Sequence, residues 1–86
     1  MEKSDQIQQS IKTYVKENTY KDSSNLTFDT MLFVEGILDS MGFALLLDFL
    51  EETFKISPDD SDLVESNFES INAITEYILK KQTTEA

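Results

Sequence analysis

Between Phe43 and Phe54 the chain places Phe43, Leu46, Leu47, Leu50 and Phe54 at i, i+3, i+4, i+7 and i+11. That spacing lays all five on one stripe of an α-helix and on no single face of a strand. The remainder of an 86-residue chain must cover the stripe, and a chain of that length supports one modest core. The helix has a start and a stop written beside it. Asp39 precedes it, and a carboxylate there accepts bonds from the orphan N–H groups of the first turn and meets the positive end of the helix dipole. Beyond Lys55-Ile56, the run Ser57-Pro58-Asp59-Asp60 breaks the pattern.

Two further stripes have the same period. Ile7, Ile11, Tyr14 and Val15 predict a first helix capped by Ser4 or Asp5 and ending near Asn18, where the polar run Lys21 to Asn25 begins. Ile71, Ile74, Tyr77 and Ile78 predict a last helix that starts near Ser70 and frays into the polar tail 81–86, with Lys80 and Lys81 suited to its negative end. Leu63, Val64 and Phe68 predict a short helix or an irregular segment, capped by Asp62 or Ser61. Two Gly and one Pro leave few turn residues for a multi-stranded sheet. The expectation is an all-α fold: one domain, residues 1–86 with short flexible termini, containing three main helices and a short one. No internal repeat is visible, and a long loop separates the first two helices.

That loop cannot be a passive linker. Leu26, Phe28, Leu32, Phe33, Ile37 and Leu38 lie in it, and full burial of each large apolar side chain contributes roughly 1.5–3 kcal/mol. It must pack across the core. Long loops in small domains are often functional, which marks the stretch from Tyr20 to Asp39.

Charge and missing residue types narrow the function. Seven Lys, no Arg and seventeen acids give a net charge of −10, which repels nucleic acid and anionic lipid and favours partners with basic patches. From Asp22 to Glu69, Lys55 is the one cation against twelve acids, an arrangement that serves either solubility or docking. Without Cys there are no disulfides or thiolate metal sites, and without His the commonest general base is gone. Ser40 therefore has no histidine to activate it as a nucleophile, so no catalytic residue is expected. No metal site is expected either, because Asp59-Asp60-Ser61-Asp62 lacks the Gly and the terminal Glu of an EF-hand loop. No apolar run is long enough to span a bilayer, and Met1 to Asp5 leads into an amphipathic pattern instead of a leader's apolar region. The expectation is a cytoplasmic protein without a transmembrane segment.

Ser40 sits where the long loop meets the strongest helix. A phosphate on it would meet unpaired N–H groups and a positive dipole end, although a serine there also serves as an ordinary first-turn residue. Its surroundings are more specific. The stretch Leu32 to Phe54, with Gly36-Ile37-Leu38-Asp39-Ser40-Met41-Gly42 at its centre, resembles the attachment segment of acyl carrier proteins, and Asn67-Phe68-Glu69-Ser70-Ile71-Asn72-Ala73-Ile74 looks like their third helix and the start of the last. The first helix matches in pattern alone. The run Glu35 to Gly42 is also similar to that of D-alanyl carrier proteins, with Phe68 and Ile71 standing where those have Trp and Pro.

The resemblance implies a small antiparallel four-helix bundle carrying 4′-phosphopantetheine, covalently attached to Ser40 from coenzyme A by a phosphopantetheinyl transferase. It implies cargo held as a thioester, acyl- or aminoacyl-loading ligases, and downstream synthase or transferase enzymes with basic patches, all visited by a monomer. Asp39 carries over as the acidic neighbour at the helix start, and Met41, Leu45, Asp48, Glu51 and Glu52 as partner-docking positions. Two alternatives stay open: an aminoacyl rather than acyl cargo, and an acidic helical interaction domain that is never modified. Phe28, Ile37, Leu46 and the isoleucines of the last helix line either a cargo cavity or a close-packed core.

Overall fold

The computed structural model describes residues 2–18 and 26–85. The chain order is α1 (Glu2–Asn18), α2 (Ser40–Phe54), a 3₁₀ turn (Asp60–Asp62), α3 (Glu65–Phe68) and α4 (Ile71–Glu85), with no strand among the described residues. The expected all-helical bundle of three long helices and one short one is what forms. The polar run 21–25 lies outside the described residues.

Each stripe turns inward. Ile7, Ile11 and Val15 from α1, Leu46 and Leu50 from α2, Phe68 from α3 and Ile71, Ile74, Tyr77 and Ile78 from α4 form one buried core. Phe68 is its aromatic hub, edge-on to Phe43 at 5.0 Å and to Tyr77 at 5.1 Å between ring centres. Such edge-to-face pairs add about 0.5–1.5 kcal/mol beyond the area they bury. Phe28, Leu46 and the α4 isoleucines belong to this packed core, whereas Ile37, packed against it, also lines a cleft.

The loop before α2 does pack across the core. Leu26, Leu32 and Leu38 are buried, with Phe28, Phe33 and Ile37 against them. Its backbone is anchored to the start of α4: Leu32 N–H donates to Glu69 O at 2.7 Å and Asn72 N–H to Phe28 O at 2.9 Å. The Asn72 side chain completes the anchor, donating to Asp29 Oδ1 and accepting from Gln8 Nε2 of α1. Leu32 O then accepts from both Ile37 N–H and Leu38 N–H, closing a turn in which Gly36 has φ 75°. A side chain is strained at that φ, which is why glycine stands there.

Several helix ends differ from expectation. Ser4 and Asp5 lie inside α1, which already begins at Glu2, so neither has the non-helical backbone of a cap. Val64, not Ser61 or Asp62, occupies the cap position of α3, without a side-chain cap bond. The Asp62 carboxylate is drawn elsewhere: its Oδ2 accepts from Asp59 N–H at 3.0 Å, from the Tyr77 hydroxyl at 3.0 Å and from Lys81 Nζ at 2.9 Å. Lys81, which also reaches Asp59 at 3.3 Å, thus ties α4 to the preceding turn and is not in that helix's last turn. With Gln82 Nε2 donating to Phe54 O, these ties help α4 run on to Glu85 past the end of its apolar pattern. α4 does begin near Ser70, which immediately precedes it and whose Oγ accepts from Ala73 N–H at 3.1 Å.

Candidate functional site

α2 starts as the sequence predicts. Asp39 has extended backbone (φ −114°, ψ −172°), and its Oδ1 accepts from Gly42 N–H at 2.7 Å. Gly42 is explained by this bond: a Cβ there would lie 3.2 Å from that same Oδ1 and 3.5 Å from Leu38 Cδ2, so a side chain would crowd the capping carboxylate. The far end is capped by Lys55, whose left-handed backbone (φ 58°) lets its N–H donate to Glu51 O at 3.0 Å and whose charge suits the negative end.

Ser40 is the first residue of α2 and is exposed, with Asp39 before it and Met41 after it also at the surface. The first turn of α2 contains no acidic residue, and the one adjacent carboxylate, Asp39, is engaged with Gly42. A phosphodiester on Ser40 Oγ would therefore meet free amide N–H groups and the positive end of a 15-residue helix. These residues fit a covalently attached phosphopantetheine: Ser40 would hold it, and the end of α2 would stabilise its charge.

The five docking positions are all exposed on α2. Met41 is 73% and Leu45 51% exposed, apolar side chains in an otherwise acidic surface. Met41, Leu45, Asp48 and Glu52 follow one another at i, i+4, i+7 and i+11, opposite the buried Leu46 and Leu50, with Glu51 beside them. The structure thus brings the predicted site residues onto one face that begins at the proposed attachment serine.

Three residues of α1 join this region without having been singled out as site residues. Tyr14, Val15 and Asn18 form one side of a cleft of about 420 Å³ whose other side is Ile37, Leu38, Asp39, Met41 and Leu45. Tyr14 stacks on Phe49 of α2 with ring centres 4.2 Å apart. Burial, with the Asp48 carboxylate adding to it, pushes the Tyr14 phenol above its ordinary value, so it stays a neutral hydroxyl. In the sequence Tyr14 and Val15 read as core stripe, and nothing in their spacing marks them as part of a site.

Among the described residues no group of three or more His, Cys, Asp or Glu is placed to hold a metal ion, and no helix is long and apolar enough to cross a membrane. Asp62, the centre of the acidic turn, is occupied by three donors.

A small helical bundle with an exposed serine opening α2 is an arrangement that suits a carrier of a covalently attached prosthetic arm. Comparison with known families agrees, because the model described as "phosphopantetheine attachment site" matches residues 9–78. The chain belongs to that family, and it is a carrier whose cofactor is covalent 4′-phosphopantetheine. A search of curated proteins returned no match.

Proposed function

We propose that Ser40 is the attachment residue and that the chain presents acyl intermediates to partner enzymes for fatty-acid, polyketide, lipid or other specialised biosynthesis. The observation that carries this is the exposed Ser40 at the start of α2, flanked by the Asp39 cap. Ser40 Oγ forms the bond to phosphorus, the nucleotide portion of coenzyme A leaves, and the hydroxyl proton passes to the transferase. When bound, the cofactor supplies a thiol that carries cargo as a thioester. The chain itself catalyses nothing; it works as a cytoplasmic monomer, and its partners bring the bases and nucleophiles it lacks.

Docking follows from charge and shape. Asp48, Glu51 and Glu52 attract a basic partner surface at long range, and Met41 and Leu45 supply apolar contact beside the arm. Asp39 keeps the first turn of α2 intact while a transferase handles Ser40.

The test is incubation of the chain with coenzyme A and a phosphopantetheinyl transferase, followed by intact mass measurement. Wild type gains one phosphopantetheine. Ser40→Ala gains none and retains its helical circular dichroism. If the substituted chain gained the same mass, Ser40 would not be the attachment residue, and if wild type gained none, the carrier reading would fall.

A further inference from the structure

We propose that Asn72, at the start of α4, is a positioning residue for the modification of Ser40: it clasps the segment 26–38 to α1 and α4 and so fixes the place from which Ser40 is offered to the transferase. This rests on Ser40 being the attachment residue. Asn72 is not one of the docking positions, all of which lie on α2. It acts through the loop.

Hydrogen bonds from both the backbone and the side chain meet at this residue. Its N–H donates to Phe28 O at 2.9 Å, its Nδ2 donates to Asp29 Oδ1, and its Oδ1 accepts from Gln8 Nε2. One side-chain amide thus ties α4 to the loop on one side and to α1 on the other, which requires a donor and an acceptor on the same group. An aspartate at position 72 would keep only the acceptor and would set a second carboxylate against Asp29. The clasped segment is itself shaped: Thr27 N–H donates to Thr30 Oγ1 at 2.9 Å, which closes a turn around Phe28 and Asp29. Lys12 of α1 adds to the grip, with Nζ 5.3 Å from the centre of the Phe28 ring.

From the clasp a continuous run of bonds leads to the site. Leu32 is held through both its backbone groups: its N–H donates to Glu69 O at 2.7 Å, and its O accepts from Ile37 N–H at 2.9 Å and Leu38 N–H at 3.1 Å. Leu38 is buried and directly precedes Asp39, the cap whose carboxylate holds Gly42 N–H. Ser40 comes next. Leu46 and Leu50 keep α2 in the core when the clasp opens, so what is lost is the fixed approach to the helix and not the helix. Only the fraction of molecules with the approach in place is competent, and the transferase's KM for the chain rises as the inverse of that fraction while kcat is unchanged.

The experiment measures kcat and KM of a phosphopantetheinyl transferase acting on the full chain with coenzyme A, at a temperature where circular dichroism shows each variant folded, together with amide hydrogen exchange at Leu32, Ile37 and Leu38. Asn72→Asp is expected to raise KM at least about threefold with kcat unchanged and to speed exchange at those amides. Asp29→Ala, at an exposed residue, removes the same bond and gives the same result if the first variant does not fold. The swap Asp29→Asn with Asn72→Asp again faces a donor with an acceptor at unchanged net charge, and it returns both readouts to wild type. Ile78→Val, in the core further along α4, lowers stability and leaves KM unchanged. An unchanged KM in both Asn72→Asp and Asp29→Ala, a swap that fails to restore it, or an equal rise in Ile78→Val overturns the proposal while leaving Ser40 as attachment residue. A wild-type chain that gains no phosphopantetheine mass, or a Ser40→Ala chain that gains it, refutes the attachment itself, and intact mass measurement separates that failure from the others.

Discussion

Replacing Asp39 by alanine removes the side-chain acceptor for Gly42 N–H, a bond of 2.7 Å, at the start of a 15-residue helix that supplies Leu46 and Leu50 to the core. Loss of a capping side chain costs about 0.5–2 kcal/mol. Loss of its negative charge at the positive end of the dipole costs about 0.3–1 kcal/mol more. Together the loss is about 1–3 kcal/mol, which in a domain of this size lowers Tm by about 4–8 °C per kcal/mol. Asp39→Asn separates the two contributions, since an amide oxygen still accepts the bond while the charge is gone; its cost should be about 0.3–1 kcal/mol. Urea unfolding followed by circular dichroism measures all three proteins. Equal stability of wild type and Asp39→Ala would show that the cap does not hold α2, and an asparagine variant as unstable as the alanine one would show that the hydrogen bond is not the larger share.

Three other outcomes follow from the same structure. Leu32→Ala, in a loop residue with no exposed surface, should cost about 2–5 kcal/mol, whereas Val34→Ala two residues on, 71% exposed, should stay within about 0.5 kcal/mol; urea midpoints compare them. Asp62 is held below its ordinary pKa by the Asp59 N–H and then by Lys81, so its stabilising contribution is present above the usual carboxylate range and is lost as pH falls through its lowered value. The stability difference between wild type and Asp62→Asn should therefore be largest near neutrality and shrink below about pH 4; a difference that grows on acidification would contradict the linkage. Association with a phosphopantetheinyl transferase, measured by stopped-flow fluorescence, should slow by about tenfold or more between low salt and about 0.15 M, where the screening length falls to about 8 Å. Glu51→Lys with Glu52→Lys should remove most of that salt dependence, and an unchanged rate would exclude docking through those acids.

What was legible in the sequence is what depends on local rules. The stripe Phe43 to Phe54 and the cap at Asp39 require only helical periodicity and the chemistry of a first turn, and both are found in place. The apolar content of the loop predicted that Leu32 and Leu38 would be buried, though not that Glu69 and Asn72 would hold the loop's backbone. Pairings between distant segments were not legible. Lys81 reads as a cation near a helix end, and only the fold brings Asp59 and Asp62 within its reach, which also removes Asp62 as a cap for α3. Tyr14 likewise reads as one more stripe residue. Its place between two clefts, stacked on Phe49 and close to the start of α2, arises from how α1 and α2 meet, and one-dimensional spacing carries no record of that.

The central claim concerns one hydroxyl. After reaction with coenzyme A and the transferase, cleavage after lysine yields a peptide running from Asp22 to Lys55, which contains Ser23, Ser24, Thr27, Thr30, Ser40 and Thr53 as possible sites. Tandem mass spectrometry of that peptide should place the whole phosphopantetheine mass on Ser40, with fragments that exclude Ser40 unmodified. The same mass found on another serine or threonine, in this peptide or elsewhere in the chain, would contradict the account.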